Sequence, residues 1–119
     1  MYYLVHLLIA VVAIEHLYFL ILEMFFWTKP KGIKTFGLKS KQFAEDTKVL
    51  AANQGLYNGF LAAGLVYSIV LKDYSTSIFF LSCVIIAGIF GAYSTKTIRL
   101  FYIQSLPAIL AVILCIYNL

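Results

Sequence analysis

Charge is scarce in this chain. Of its 119 residues 12% are charged and 63% hydrophobic, and only five side chains are acidic. Soluble domains run at about a quarter charged and about half apolar. A soluble chain this short leaves a large fraction of its surface exposed, so it has too little interior to hide the apolar excess. A water-soluble domain is thereby excluded, and lipid is the solvent that accommodates the surplus.

Cysteine is nearly absent as well. Cys83 and Cys115 stand alone in apolar stretches without CxxC spacing, which removes redox motifs and disulfide frameworks. Both are expected to be packing residues. The start of the chain lacks the basic n-region of a secretory signal, its apolar run continues to Trp27, and no small-residue cleavage site follows. A retained helix is expected there. HxxxH and ExxH spacings are missing too, so no metal site is expected, and no nucleic-acid partner.

What is present is hydrocarbon in four blocks. A bilayer core of ~30 Å takes about 20 apolar residues as a helix. Four stretches qualify, giving expected helices at about 2–27, 44–71, 77–94 and 99–118 within one transmembrane domain, 1–119. Closed barrels need many alternating strands, which are absent, so helices are the spanning structure. The expected fold is all-α: an integral membrane four-helix bundle, antiparallel and up-down.

The basic residues set its orientation. Lys29, Lys31, Lys34, Lys39, Lys41 and Lys48 lie in the first connection (28–43) or just after it, and Lys96 and Arg99 in the third. The second holds only Lys72, beside Asp73. The positive-inside rule then puts connections one and three in the cytoplasm, leaving both termini outside. The first connection alternates Ile33, Phe36, Leu38 and Phe43 with its lysines, a pattern suited to a segment lying on anionic lipid. Ser40 is the expected N-cap of helix two, with Glu45 and Asp46 in its early turns where the helix dipole favours anions. A multi-pass protein of a bacterial plasma membrane is expected, with lipid as one partner.

Polar residues inside the apolar blocks mark the candidate site. Helix one carries Glu15, His16 and Glu23. An ionisable group at mid-bilayer costs on the order of 2.5–3.5 kcal/mol by insertion scales, and such residues usually face the bundle interior. A carboxyl that changes protonation beside an imidazole suits proton transfer, so Glu15 and His16 are candidate catalytic groups. The competing reading has them glue helices together.

Helix two adds Asn53, Gln54 and Asn58, with Tyr57 as a further candidate donor. Carboxamides in lipid bring donors and acceptors that must find partners. Glu15, His16 or a bound ligand are the expected ones. Ala51, Gly55, Gly59 and Ala63 recur every four residues, a ridge that lets another helix approach closely. On helix four, Arg99, Tyr102 and Gln104 complete the candidate ligand-binding set with Glu23 and the amides. Pro107 withdraws a donor from the Ile103 carbonyl, so a kink is expected there.

Two resemblances rest on these residues. Glu15-His16-Leu17-Tyr18, Leu22-Glu23-Met24-Phe25-Phe26-Trp27 and the run from Ala52 to Gly64 resemble domain-of-unknown-function family 1304, small bacterial membrane proteins of about this length. That resemblance implies that Glu15, His16, Glu23, Asn53, Gln54, Tyr57 and Asn58 belong to a shared pattern. A fainter one is similar in element order to the membrane-associated proteins of eicosanoid and glutathione metabolism. It implies four helices, a basic cytoplasmic first loop and assembly into homo-oligomers, commonly trimers. It rests on Asn53 in helix two and on Arg99, Tyr102, Gln104 and Pro107 in helix four. The arginine-rich pattern of that superfamily's second helix is absent, with Lys48 alone nearby.

Three functions follow as expectations. One is an oligomeric membrane enzyme or lipophile-binding protein taking a small lipophilic or anionic ligand, with glutathione or another thiol as the cofactor class. The second is a proton-linked transporter or channel, in which Glu15 and His16 handle the proton. The third is a structural subunit.

Overall fold

The computed structural model describes residues 1–119. Five helices follow in order: α1 (Tyr2–Phe25), α2 (Pro30–Phe36), α3 (Lys41–Leu71), α4 (Tyr74–Thr95) and α5 (Ile98–Tyr117). All but α2 are long and apolar enough to cross a membrane. The fold is an all-α bundle.

Local chemistry places the ends. Pro30 opens α2, where its missing N–H costs nothing, and Gly37 closes it at φ 61°. This helix occupies part of the expected loop 28–43. Ser40 caps α3 as expected, its Oγ accepting from the Phe43 N–H at 3.0 Å. Asp73 caps α4, which therefore starts at Tyr74 and takes in Ser75, Thr76 and Ser77. Lys72 and Lys96 close α3 and α4 in the left-handed region, both at φ 56°. Helices commonly end on such a residue, usually glycine because a Cβ is disfavoured there. Using lysine instead keeps both turns tight and polar. Each turn spans two residues, so α4 runs antiparallel to α3 and α5 antiparallel to α4.

The chain divides into two compact units, Met1–Ile14 with Leu61–Leu119, and Glu15–Phe60. The first is a four-helix bundle. Its core joins Val5, Ile9 and Val12 of α1, Leu65 of α3, Leu81 and Val84 of α4, and Ala108, Ala111 and Cys115 of α5. Cys115 is fully buried and Cys83 half-buried. Small residues and internal hydroxyl bonds recur at its helix contacts. The Ser77 hydroxyl donates to Ser68 at 2.7 Å, and Ser68 donates to the Leu65 carbonyl at 2.7 Å. Gly88 faces Ser105, leaving no room for a Cβ, and the Ser105 hydroxyl donates to the Ile85 carbonyl at 3.0 Å.

Pro107 acts differently from a simple kink. Ahead of it, Phe101–Ser105 form a π-helical turn, with the Leu106 N–H bonded to the Phe101 carbonyl. One extra residue in the turn is a recognised way to absorb a break in the α-ladder. α5 continues beyond it as an α-helix through Tyr117.

The second unit pairs the later part of α1 with the earlier part of α3, and packs α2 beside them. Gly32 of α2 sits against the Phe26 carbonyl. The Trp27 indole N–H donates to Thr47 Oγ1 at 3.0 Å, and the Trp27 ring lies 5.0 Å from that of Phe36.

Candidate functional site

Glycine decides which residues of α1 and α3 meet. A Cβ on Gly55 would lie 2.7 Å from Met24 Cγ and 3.1 Å from Glu23 Cβ; one on Gly59 would lie 2.6 Å from Leu20 Cδ1. The ridge read from the sequence therefore works as a close-approach surface at these two positions. Gln54 and Asn58 precede the two glycines by one residue each and flank this contact.

Both amides reach Glu23. Gln54 Nε2 donates to Glu23 Oε2 at 2.5 Å, and Asn58 Nδ2 donates to Glu23 Oε1 at 2.5 Å. Each carboxyl oxygen is thus taken by a separate side-chain amide one helical turn apart on α3. Glu23 is only 1% exposed. Gln54 is exposed and Asn58 half-buried, so the centre extends from a buried acid to an accessible carboxamide. Two donors converging on one carboxyl fix its plane and leave the Gln54 carbonyl oxygen able to accept from another molecule.

Here the structure corrects an expectation. The amides pair with Glu23 and not with Glu15 or His16, which lie about two turns away along α1. Asn53 also stands apart from the centre: it is exposed, and its Nδ2 donates to the Val49 carbonyl of its own helix at 3.0 Å. Such a bond satisfies the amide locally.

Glu15 and His16 make a separate polar spot. His16 is fully buried, and its Nδ1 lies 4.0 Å from Glu15 Oε1. The Glu15 side chain is 21% exposed, yet Oε1 itself is buried and has no hydrogen-bond partner. The His16 ring also packs edge-on against Phe19 at 5.5 Å.

The remaining candidates are dispersed. Tyr57 is exposed on α3. Arg99 and Tyr102 are exposed and Gln104 half-buried on α5, which belongs to the four-helix unit. Thr47 is a residue the sequence reading missed. The single tryptophan needs an acceptor for its indole N–H, and Thr47 sits seven residues before Gln54, on the same face of α3; that spacing was the available signal.

With this geometry established, comparison with known proteins places the chain. Residues 10–116 match a family described as protein of unknown function, DUF1304. The chain belongs to that family. Glu15, His16, Glu23 and the amides of α3 all fall inside the matched DUF1304 region. The chain is also 28% identical to the uncharacterized protein YpaA of Lactococcus lactis subsp. lactis (strain IL1403), over 90% of this chain and 92% of YpaA. No solved structure matches.

Proposed function

We propose that this chain is an oligomeric, multi-pass membrane protein that binds a small lipophilic ligand at the acid–amide centre of Glu23, Gln54 and Asn58. One observation carries the reading: a buried carboxyl has both oxygens held by amides, while one of those amides stays exposed. Preformed polar groups of this kind, few in number in an apolar setting, orient a ligand and select it. The complementary molecule has an apolar body and an N–H or O–H donor that meets the Gln54 carbonyl.

Oligomer formation accounts for the polar stripe. Asn53, Gln54 and Tyr57 are exposed on a helix that is long and apolar enough to span the membrane. Polar side chains turned to acyl chains are costly, so a second copy covers what the ligand does not. The basic residues of connections one and three support a cytoplasmic position for both, with the two termini outside. The relative in Lactococcus lactis supports a bacterial plasma membrane. The element order, with Arg99, Tyr102, Gln104 and Pro107 on α5, supports a likeness to the membrane-associated proteins of eicosanoid and glutathione metabolism. That likeness adds an anionic thiol of the glutathione class as a ligand separate from the lipophilic one, tested by whether glutathione raises the melting temperature of the purified protein.

Native mass spectrometry of gently extracted protein tests the proposal. The expected spectrum shows more than one copy per particle and a retained small molecule. Bare monomers throughout would overturn it.

A second reading has its own observation. Glu15 Oε1 is buried, has no hydrogen-bond partner and lies 4.0 Å from His16 Nδ1, which favours a proton-handling role in a transporter. Proteoliposomes would then show pH-driven flux that Glu15→Gln abolishes; liposomes that remain impermeable would exclude it.

A further inference from the structure

The turn between α4 and α5 carries the only charged side chains of the chain beyond Asp73: Lys96 and Arg99. No carboxylate occurs in that entire stretch. Both cations are exposed, and neither takes part in an ion pair. Lys96 forms part of the wall of an open cavity of about 670 Å³ lined also by Ile89, Ala92, Tyr93, Ile98 and Phe101, and Arg99 follows the lining residue Ile98 in the chain. Five of its six walls are apolar or aromatic, and the sixth is the Lys96 side chain.

The cavity therefore has an apolar groove and a cationic rim at the end of two membrane-spanning helices. Its shape has local causes. Lys96 ends α4 in the left-handed conformation, which turns the chain sharply. The π-helical turn starting at Phe101 then displaces the first part of α5 from a regular helical path. Water is a poor occupant for such walls, and a peptide carrying no charge would leave the two cations unmatched.

We propose that this groove is a specific site for an anionic membrane phospholipid. The phosphate sits between Lys96 and Arg99, the glycerol backbone lies by the Tyr93 hydroxyl, and the first part of one acyl chain fills the space lined by Ile89, Ala92 and Phe101. Charge complementarity selects the anionic headgroup. The apolar walls select a lipid over a free anion, and the position at the ends of the spans matches headgroup depth. Two basic residues near a membrane surface each favour an anionic lipid, and together they amount to a preference of about thirtyfold over a zwitterionic lipid with the same chains.

The full-length protein, delipidated in mild detergent, is titrated with phosphatidylglycerol, with phosphatidylcholine of identical chains, and with inorganic phosphate, and bound molecules are counted by native mass spectrometry. The expected result is saturation at one phosphatidylglycerol per chain, about thirtyfold tighter than phosphatidylcholine, with no retained phosphate. In the Lys96→Gln/Arg99→Gln variant the preference falls to about twofold or less, while Lys29→Gln/Lys31→Gln in the first connection leaves it intact. Ala92→Phe, which fills the groove and keeps both cations, weakens both lipids. Equal binding of the two lipids by the unaltered chain would overturn the proposal. So would a preference that survives loss of Lys96 and Arg99, or equal retention of inorganic phosphate.

Discussion

Glu23 accepts a hydrogen bond from Gln54, 31 positions away, at 2.5 Å, and Asn58 completes the same carboxyl from one turn further along α3. This pairing ties the later part of α1 to the earlier part of α3. Its removal leaves the Gln54 and Asn58 amides without their acceptor.

Glu23→Leu leaves both amide donors without their acceptor. Loss of hydrogen bonds to a carboxylate from an exposed and a half-buried amide costs about 1–3 kcal/mol, so a loss of that order is expected in thermal unfolding of the detergent-solubilised protein. Replacing Gln54 and Asn58 by leucine in the same chain removes the orphaned groups and recovers most of it. A triple variant no more stable than Glu23→Leu would mean that the amides are satisfied elsewhere.

The two glycines of α3 are expected to differ. A Cβ at Gly55 meets Met24, Glu23 and the Leu20 carbonyl, the last at 3.2 Å, so both side chain and backbone obstruct it. At Gly59 the one close neighbour is the far end of the Leu20 side chain, which can rotate away. Gly55→Ala therefore costs about 1–3 kcal/mol, as overpacking does, and Gly59→Ala clearly less. Melting curves of the two variants side by side check the order.

Asp73 sits outside the spans and gives the chain a pH-dependent turn. The Thr76 hydroxyl, donating at 2.5 Å, with help from the Ser75 N–H at 3.1 Å, holds the Asp73 carboxyl below its ordinary range. A depressed carboxyl contributes stability that is complete above its unfolded value and lost as pH falls through its folded value. The α3–α4 turn is then expected to loosen on acidification, below about pH 4. Asp73→Asn flattens that acid limb, measured as hydrogen exchange of the Ser75 and Thr76 amides against pH.

The indole of Trp27 reports on the packing of α2. Thr47→Val removes its 3.0 Å acceptor and leaves a part-buried N–H unpaired. As the single tryptophan of the chain, Trp27 is expected to show a shifted emission maximum in that variant, while Thr95→Val leaves emission unchanged.

The four long apolar helices were legible because hydrophobic length is a property of single segments. Capping was legible for the same reason: Ser40 needs only its own helix. The small-residue ridge was read correctly at Gly55 and Gly59, but buried positions then step to Ala62 and Gly64 while Ala63 is exposed. A helix of 3.6 residues per turn drifts away from a strict four-residue repeat, so the ridge could not continue unchanged.

The partner of the amides was not legible. It depends on how far α1 and α3 slide past each other, and the connection between them contains α2, whose docking through Gly32 and Trp27 fixes that offset. Glu15 and Glu23 were equivalent in type, and only register separates them. Asn53 likewise had the same chemistry as Gln54 and Asn58 but faces its own backbone.

The most direct test of the acid–amide centre is a double-mutant cycle in thermal or chemical unfolding, pairing Glu23→Leu with Gln54→Leu and, as reference, Glu15→Leu with Gln54→Leu. The predicted result is a coupling of about 1 kcal/mol or more for the first pair, within the range found for residues in contact, and none for the second. Coupling between Glu15 and Gln54 with none between Glu23 and Gln54 would contradict the account.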